Sequence, residues 1–344
     1  MPVRLLIVDD SPLIRSMLRA VLADHPEIAI VGEAADGLQA EAMVKQLSPD
    51  VVTMDVVMPM MSGLETIERI MADRPTPIIV VADVHGDAQG LAIEALDRGA
   101  VELFPKPTKG FDDRSRDELA RAVMRAARIP IRTLARPRRQ RRLPSAPFVR
   151  PEKSRVECIG IVGSTGSPRT LRAILQALPT SHGCVIAVVQ HTTRGFTLAL
   201  ASWLDEATPL DVRVARDGQR AEPGQIIIAP DDAHLEIGPG GAIRIRRDAP
   251  VDGHRPSGTV LLRSLAHSYG ARAAGVVLSG MGRDGAEGAA AMERAGAQMF
   301  VEDPEQAVVG GMPREALKAA PSAGVVSAAE LGRTVARLGL SGRS

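Results

Sequence analysis

The feature that most constrains the fold is an alternation of short apolar runs with amphipathic helical patterns. In the first third of the chain the apolar runs lie at residues 3–8, 28–31, 51–54, 78–81 and 101–104. Apolar strands that are each followed by a helix form parallel sheets covered on both faces. The same alternation resumes at Cys158. The sequence therefore predicts an α/β fold with two doubly wound parallel-sheet domains, the first of (βα)5 type and the second Rossmann-like.

The second domain contains one interruption of this alternation. Residues 234–237 and 243–245 are short apolar runs on either side of a Gly-Gly turn. Two such runs joined by a glycine-rich turn are typical of a β-hairpin. We therefore expect a β-hairpin inserted in the second α/β domain.

A stretch of different composition separates the two domains. Residues 128–151 contain eight arginines, five prolines and no acidic residue. Proline at this density blocks regular structure, and like charges repel one another along the chain. We predict a first domain at residues 1–125, a linker at 126–154 and a second domain at 155–344. A basic run also permits binding to phosphate groups or to an acidic partner, and this alternative stays open.

Three polar residues of the second domain follow predicted strands. Ser164, His191 and Asp284 each lie in a turn beside glycines or other turn-forming residues. Because parallel strands end at the same edge of a sheet, where α/β proteins bind ligands, we expect these side chains to meet there. A hydroxyl, an imidazole and a carboxylate supply a nucleophile, its base and a group that orients the base. The sequence therefore predicts an acyl-transfer site.

Other interpretations of the turn around Ser164 are less well supported. Its glycines have the spacing G-x-x-G-x-x-G, and the next strand ends in Gln190 where a dinucleotide site needs an acidic residue. The turn has no phosphate-binding lysine, and Val162 occupies the first glycine position of a nucleophile elbow. A helix cap is the main structural alternative for this serine.

Acidic residues follow two strands of the first domain. Asp9 and Asp10 come after the first strand, and Asp55 comes after the third. Three carboxylates repel one another unless a divalent cation with oxygen ligands binds between them. Lys106 follows the fifth strand at the same edge, and its bond to Pro107 is a candidate cis peptide. An aspartate beside a cation and a lysine is suited to accept a phosphoryl group.

Composition excludes several other classes of protein. The net charge of +1 gives no general attraction to nucleic acid or membranes, and seven aromatic residues are too few for base-stacking platforms. No run reaches the ~20 apolar residues of a membrane span, and the amino terminus lacks a signal peptide pattern. Cys158 and Cys184 are typical of buried thiols in a reducing compartment. We expect a cytoplasmic protein that binds no nucleic acid and does not insert into membranes.

Residues 1–125 resemble the receiver domains of two-component response regulators. The resemblance rests on the pair Asp9-Asp10, the segment DVVMPMMSG that begins at Asp55, and Lys106 with the proline after it. It implies that Asp55 accepts a phosphoryl group from a chemotaxis-type histidine kinase and that Lys106 is the switch lysine.

The same resemblance implies a Mg²⁺ cofactor for phosphorylation. In this family the ion is held by the residues that correspond to Asp10 and Asp55 and by the backbone carbonyl of Val57. Asp9 would act through the water shell of the cation.

Two positions depart from the receiver family. Ala82 stands after the fourth strand where the family has Ser or Thr, and Leu103 stands where it usually has an aromatic residue. In the family, this hydroxyl and this aromatic ring move together on phosphorylation. We therefore predict that Asp55 is phosphorylated but that the switch responds weakly.

Residues 156–342 resemble the catalytic domain of the chemotaxis protein-glutamate methylesterases. The matching segments are GSTGSP, QHTTRGFT, PVDGHRPSG, LSGMGRDGAEG and GGMPREAL, in the order of the family. The implied nucleophile, base and carboxylate are Ser164, His191 and Asp284. Thr165 neighbours the nucleophile, and the backbone amide of Met281, together with the turn after the first strand, would hold the oxyanion.

Together the two resemblances imply a phosphorylation-regulated enzyme of sensory adaptation. It would hydrolyse glutamate methyl esters on methyl-accepting chemoreceptors, releasing methanol with no cofactor for the esterase chemistry. Family members also deamidate receptor glutamines. Two positions depart from the family. Ser167 stands where the family commonly has glycine, and Gly258 stands where the HRPS segment is usually followed by Val-Asp. We expect the second departure to alter substrate contacts.

Two functions from other classes remain as alternatives. A receiver-controlled adaptor with an inactive esterase site would not need the complete set of serine, histidine and aspartate. A DNA-binding response regulator could use the arginine tract, but no helix-turn-helix pattern follows the linker.

Overall fold

The computed structural model describes residues 1–84, 86–106, 110–129 and 155–340. The chain forms two compact units that divide between residues 140 and 141. This division falls in the predicted linker, of which only residues 126–129 are described. The predicted domain limits therefore stay predictions. Pro107 lies outside the described residues, and with it the peptide bond that was a candidate for cis geometry.

The first unit is a five-stranded sheet with helices between its strands. The strands are all parallel, in the order β2-β1-β3-β4-β5. The elements are β1 (Val3–Val8), α1 (Pro12–Leu22), β2 (Ile28–Ala34), α2 (Gly37–Leu47), β3 (Val51–Met54), α3 (Gly63–Asp73), β4 (Ile78–Ala82), α4 (Asp87–Asp97), β5 (Glu102–Pro105) and α5 (Asp113–Ala126). This confirms the (βα)5 prediction, with helix ends shifted by a few residues.

Side-chain caps fix where several helices of the first unit begin. The Ser11 hydroxyl accepts a hydrogen bond from the Ile14 amide, and Pro12 occupies the first turn of α1. Asp36 and Ser62 cap α2 and α3 in the same way. Each capping residue follows a strand or the loop after it. The cap therefore sets the length of the loop at the edge of the sheet.

The second unit has a seven-stranded parallel sheet and a separate two-stranded hairpin. The elements are β6 (Cys158–Gly163), α6 (Pro168–Gln176), β7 (Val185–Gln190), α7 (Thr197–Asp205), β8 (Asp211–Val214), β9 (Gln225–Ile228), β10 (His234–Ile237), β11 (Ile243–Arg246), α8 (Gly258–Tyr269), β12 (Ala273–Val277), α9 (Ala286–Arg294), β13 (Gln298–Glu302), α10 (Gly311–Ala319), β14 (Gly324–Val326) and α11 (Ala328–Leu340). The antiparallel pairing of β10 with β11 confirms the predicted hairpin.

Strand order places the functional edge of the second unit. The sheet runs β14-β13-β12-β6-β7-β9-β8, so the chain leaves β6 on one side and returns on the other at β12. In open α/β sheets, ligands bind at this reversal, outside the carboxyl ends of the strands. Ser164 follows β6 and Asp284 lies in the turn after β12. The topology therefore brings both residues to the switch point.

The two cysteines of the chain lie in the interior of the second unit, as the sequence predicted. Cys158 and Cys184 are both buried and unpaired, and burial raises the pKa of the Cys184 thiol to about 12. These thiols are core residues, as predicted. Within the described parts of the chain, none of the helices combines the length and apolar character that crossing a bilayer requires.

Candidate active site

Ser164 lies in a tight turn between β6 and α6. Its backbone N–H donates to the Ser279 carbonyl at 3.0 Å, and the residue is 8% exposed. Gly166 has a φ of +80°, and a Cβ at that position would lie 2.5 Å from Val308 Cβ. Only glycine fits this turn without strain. The turn thus presents a largely buried serine at the carboxyl end of β6.

A second layer of hydrogen bonds holds the carbonyl of Ser164. The Ser167 hydroxyl lies 2.6 Å from this oxygen and 2.6 Å from Gln190 Oε1. The Gln190 amide nitrogen donates to the same carbonyl at 2.9 Å. Sequence reasoning missed this support, because Gln190 served there only as evidence against a ribose ligand.

His191 and Asp284 form a direct pair. His191 Nε2 donates to Asp284 Oδ2 at 2.8 Å, and the histidine side chain is 11% exposed. Asp284 lies in the loop before α9, and His191 directly follows β7. The predicted base and carboxylate are therefore brought together.

Asp284 receives three further hydrogen bonds from the start of α8. The Ser257 hydroxyl donates at 2.6 Å, and the amides of Gly258 and Thr259 donate at 2.6 and 3.0 Å. Burial alone would raise the pKa of this carboxyl, but the hydrogen bonds from His191, Ser257 and Thr259 hold it well below its usual range. Asp284 is therefore a permanent anion beside the imidazole.

The remaining ring nitrogen of His191 is the one available to the serine. His191 Nδ1 is buried and has no hydrogen-bond partner among the residues described. The described residues include no hydrogen bond between Ser164 Oγ and His191. The two residues follow paired strands, and the His191 amide donates to the Gly163 carbonyl at 2.9 Å. Catalytic hydrogen bonds often form only when substrate binds, so this geometry fits a base for Ser164.

The predicted oxyanion residues lie on segments that flank the nucleophile. A Cβ at Gly280 would lie 2.8 Å from Ser164 Cβ, which places the segment leading to Met281 against the serine. The Ser279 hydroxyl donates to the Thr165 carbonyl at 2.8 Å. Within the described chain, the amide N–H groups of Thr165 and Met281 donate to no protein acceptor. Both amides are therefore available for a ligand oxygen.

Glu302 is a buried carboxyl behind this site that sequence reasoning missed. Its Oε2 accepts the Ser279 amide at 2.7 Å, and its Oε1 accepts the Thr170 hydroxyl at 3.3 Å. Burial raises its pKa to about 7. Because Ser279 also holds Ser164, this carboxyl belongs to the support of the nucleophile turn.

Gly258 lies at the start of α8, directly against Asp284. The residue is buried, its amide donates to Asp284, and a Cβ there would lie 2.1 Å from Val162 Cγ1. The missing side chain therefore allows close packing of α8 on β6. The expectation of altered substrate contacts at this position stays a prediction.

The acidic residues of the first unit gather at the carboxyl edge of its sheet. Carboxylate oxygens of Asp9, Asp10 and Asp55 lie within 4.8 Å of one another. Lys106 Nζ lies 2.7 Å from Asp55 Oδ2 and 2.9 Å from Asp9 Oδ2. Arg15, which sequence reasoning missed, donates to the carbonyls of Asp9 and, more distantly, Asp10. The four predicted pocket residues are thus brought together.

Electrostatics make this acidic pocket suitable for a cation. Burial raises the pKa of Asp55, although Lys106 opposes the effect and the nearby Asp9 adds to it. The pKa of Lys106 is raised because Asp55 and Asp9 outweigh its burial. One lysine does not balance three carboxylates. Oxygen ligands alone, with an excess of negative charge, are the donor set that Mg²⁺ prefers.

The two departures from the receiver pattern are buried. Ala82 ends β4 with no exposed surface, and Leu103 is 3% exposed in β5. Val80 pairs with Leu103 and Ala82 pairs with Pro105. No hydroxyl is present at the end of β4 to bond a phosphoryl oxygen on Asp55.

Two further polar residues of the second unit have structural partners. His234 Nε2 contacts the Ala249 carbonyl at 3.1 Å, and its Nδ1 accepts the Ser257 amide at 3.2 Å. Asp231 accepts hydrogen bonds from the Gly195 amide and the Thr197 hydroxyl. Among the described residues, only the acidic pocket of the first unit has the clustering of a metal site.

Fold and sites together define a class of protein: a phosphoacceptor domain joined to a serine hydrolase of α/β type. The CheB methylesterase profile matches residues 159–335, and the response regulator receiver domain profile matches residues 5–113. The chain belongs to the CheB methylesterase family, as the sequence resemblance predicted.

Individual relatives agree with this assignment over most of the chain. A protein-glutamate methylesterase/protein-glutamine glutaminase of Anaeromyxobacter dehalogenans is 42% identical over 316 residues, 90% of this chain and 92% of the relative. A Pseudomonas aeruginosa protein of the same kind is 38% identical over 325 residues, 92% of this chain and 91% of the relative. The crystal structure of the Thermotoga maritima CheB methylesterase catalytic domain is 33% identical, with a TM-score of 0.51, and covers 53% of this chain and 98% of that domain.

Proposed function

We propose that the chain is a phosphorylation-regulated protein-glutamate methylesterase that acts on methyl-accepting chemoreceptors. The observation that carries the proposal is the His191–Asp284 pair beside Ser164 at the topological switch point. The names of the two relatives support the activity and the substrate class. A chemotaxis-type histidine kinase is the proposed phosphodonor, and the cytoplasm is the proposed location.

The first step of the reaction is acylation of the serine. Ser164 Oγ attacks the carbonyl carbon of the methyl ester, and its proton passes to His191 Nδ1, the ring nitrogen without a hydrogen-bond partner among the described residues. Asp284 stabilises the resulting imidazolium through Nε2. The proton then passes to the departing methoxide, which leaves as methanol.

The second step releases the glutamate product. Water attacks the acyl-enzyme while His191 takes one of its protons, and Ser164 recovers a proton when the ester bond breaks. The negative oxygen of each tetrahedral intermediate would bind the amides of Thr165 and Met281, with help from the amino-terminal dipole of α6. Each of these steps uses only protein groups and water.

The same site could hydrolyse a glutamine side chain. An amide differs from the ester only in its leaving group, which would depart as ammonia after protonation by His191. The relatives carry the name protein-glutamine glutaminase as well as methylesterase, which supports this second activity. We propose deamidation of receptor glutamines as a slower reaction, because an amide has the poorer leaving group.

Phosphorylation of Asp55 is the proposed regulatory input. Asp10, Asp55 and the Val57 carbonyl would hold Mg²⁺, with Asp9 acting through the water shell of the ion. When bound, the ion would neutralise charge on the transferred phosphoryl group. Lys106 already bridges Asp55 and Asp9, so it is placed to contact the phosphoryl oxygens.

Substitution of Ser164 by alanine tests the catalytic proposal. We expect methanol release from methylated receptor membranes to fall by about 10⁴ to 10⁶, because the substitution removes the hydroxyl that attacks the ester. Ser202→Ala, at an exposed position of α7, is the matched control and should keep wild-type activity. Wild-type methanol release by folded Ser164→Ala would contradict the assignment.

A further inference from the structure

His254 lies directly against the proposed catalytic base. The imidazole rings of His254 and His191 are parallel within 5°, and their centroids are 4.0 Å apart. The ring of His254 therefore covers one face of His191.

The segment that carries His254 is firmly attached to its surroundings. Arg255 Nε and Nη2 both donate to Asp232 Oδ1, at 2.8 and 2.6 Å. Val251 and His254 exchange two backbone hydrogen bonds, of 3.1 and 2.9 Å. These contacts hold the backbone at His254 without any contribution from His191.

A second set of contacts holds the same segment on its other side. Arg283, one residue before Asp284, donates to Asp252 Oδ1 at 3.0 and 2.8 Å. His234 joins Ala249 to Ser257 through its two ring nitrogens. The loop that presents His254 is thus tied to the loop that presents Asp284.

His191 needs a contact of this kind. Its Nε2 makes one hydrogen bond to Asp284, and its Nδ1 makes none among the residues described. One hydrogen bond restrains rotation of the ring about its Cβ–Cγ bond at a single atom, and such rotation would move Nδ1 away from Ser164. A flat ring packed on its face prevents this rotation. Proton transfer depends on placing the base within hydrogen-bond reach of the nucleophile.

We propose that His254 is a positioning residue for the esterase reaction. Its ring fixes the plane of His191 and thereby keeps Nδ1 in the orientation that takes the proton from Ser164. The inference rests on the proposed function, because His191 is a base only if Ser164 is the nucleophile.

The test compares two replacements in the full-length protein. His254→Phe keeps a flat ring at this position, whereas His254→Leu fills similar space without a flat face. His267→Leu, on the exposed side of α8, is the matched control. For each variant, kcat and KM for methanol release are measured on methylated receptor membranes, together with the unfolding midpoint in urea.

We expect the two replacements to differ in kcat. His254→Leu should lower kcat by about 10- to 100-fold with KM nearly unchanged, because a displaced base slows chemistry without weakening substrate binding. His254→Phe should restore most of this loss, and His267→Leu should match the wild type. The same ranking should appear in the rate at which a fluorophosphonate inactivates Ser164, a reaction that needs no receptor.

Several results would overturn the inference. Equal kcat values for His254→Leu and wild type would show that the stacked ring is not needed. Equal losses in the leucine and phenylalanine variants would show that the flat face is not what matters. An effect on KM alone would make His254 a substrate contact. If His254→Leu does not fold, His254→Phe decides, since a large loss of kcat in that folded variant contradicts a role of the ring face.

Ser164→Ala in the same assays separates this inference from the proposed function. Methanol release that survives Ser164→Ala would remove the proposed function and the role of His254 with it. An inactive Ser164→Ala combined with a fully active His254→Leu would leave the function in place and reject only the positioning role.

Discussion

Asp55 in the first unit and Asp284 in the second are both buried carboxyls at the carboxyl edge of a parallel sheet. Asp55 is 4% exposed and Asp284 is completely buried. Burial acts in the same direction on both, since it penalises the charged form. Nevertheless the pKa of Asp55 is raised and that of Asp284 is lowered. Position in the fold does not decide the charge of a buried aspartate.

The difference lies in the groups that donate to each carboxylate. Asp284 accepts from His191, from a hydroxyl and from two amides at the start of α8. Asp55 accepts from Lys106 and, at 3.3 Å, from the Val57 amide, while Asp9 lies close by. These hydrogen bonds already stabilise the negative charge of Asp284, which suits a group that orients a base. A cation bound beside Asp55 would stabilise its charged form, which suits a site that gains and loses a phosphoryl group.

Among the tests of this comparison, Asp284→Asn has the largest expected effect. Loss of the negative charge should lower kcat for methanol release by about 10³ to 10⁴, because the imidazolium of His191 loses its counter-charge. Asp211→Asn, at an exposed position of β8, is the matched control for the same chemical change. A loss below tenfold in folded Asp284→Asn would mean that its permanent charge is not used in the reaction.

Glu302 extends the comparison, because it is buried but has few donors. Its pKa is raised from the usual 4.5 to about 7 by burial. The folded protein therefore binds a proton that the unfolded chain has lost between these pH values. The free energy of unfolding should fall by about 3 kcal/mol as pH rises from about 4.5 to above 7, at about 1.4 kcal/mol per pH unit.

Glu302→Gln should remove this dependence. In urea unfolding, the free energy of unfolding at pH 5 and at pH 8 should differ by about 2.5 kcal/mol less in this variant than in the wild type. Glu287→Gln, on the exposed side of α9, should leave the difference unchanged. An unaltered pH dependence in Glu302→Gln would place the proton elsewhere.

Added Mg²⁺ should raise the free energy of unfolding of the first unit by about 2 kcal/mol when its concentration is well above the dissociation constant. The reason is that only the folded chain brings the three carboxylates together. The measurement is urea unfolding of the full chain with and without the ion. Asp10→Asn should abolish the gain, whereas Asp24→Asn, at an exposed position outside the pocket, should not. Equal stabilisation of both variants would indicate a non-specific salt effect.

The smallest expected effect concerns Ala82. With no hydroxyl at the end of β4, a phosphoryl group on Asp55 lacks one hydrogen bond that would favour an active state, and a ligand shifts an equilibrium only through such differences. Activation of wild-type esterase by phosphodonor should be small. Ala82→Thr should increase it by about tenfold, which corresponds to about 1.4 kcal/mol and lies at the low end for a hydrogen bond to a charged group. Asp55→Ala serves as the blank. Strong Asp55-dependent activation of the wild type would mean that this receiver switches by another route.

The sequence by itself determined the secondary structure, the sheet type and the list of candidate residues. β-branched runs, glycine turns and helix caps act between residues that are close along the chain, so they are readable without coordinates. They placed Ser164 and His191 at strand ends, and the structure agrees. They also indicated the hairpin and the carboxylates around Asp55.

Tertiary structure alone decided how these residues work together. His191 and His254 are far apart in sequence and meet only through packing of loops, whereas Ser279 and Glu302 meet because β12 and β13 are neighbours in the sheet. Which nitrogen of His191 faces Asp284 depends on side-chain rotation, and the burial of Gly258 depends on how α8 lies on β6. No local pattern encodes such contacts, because they arise from the combined positions of several elements.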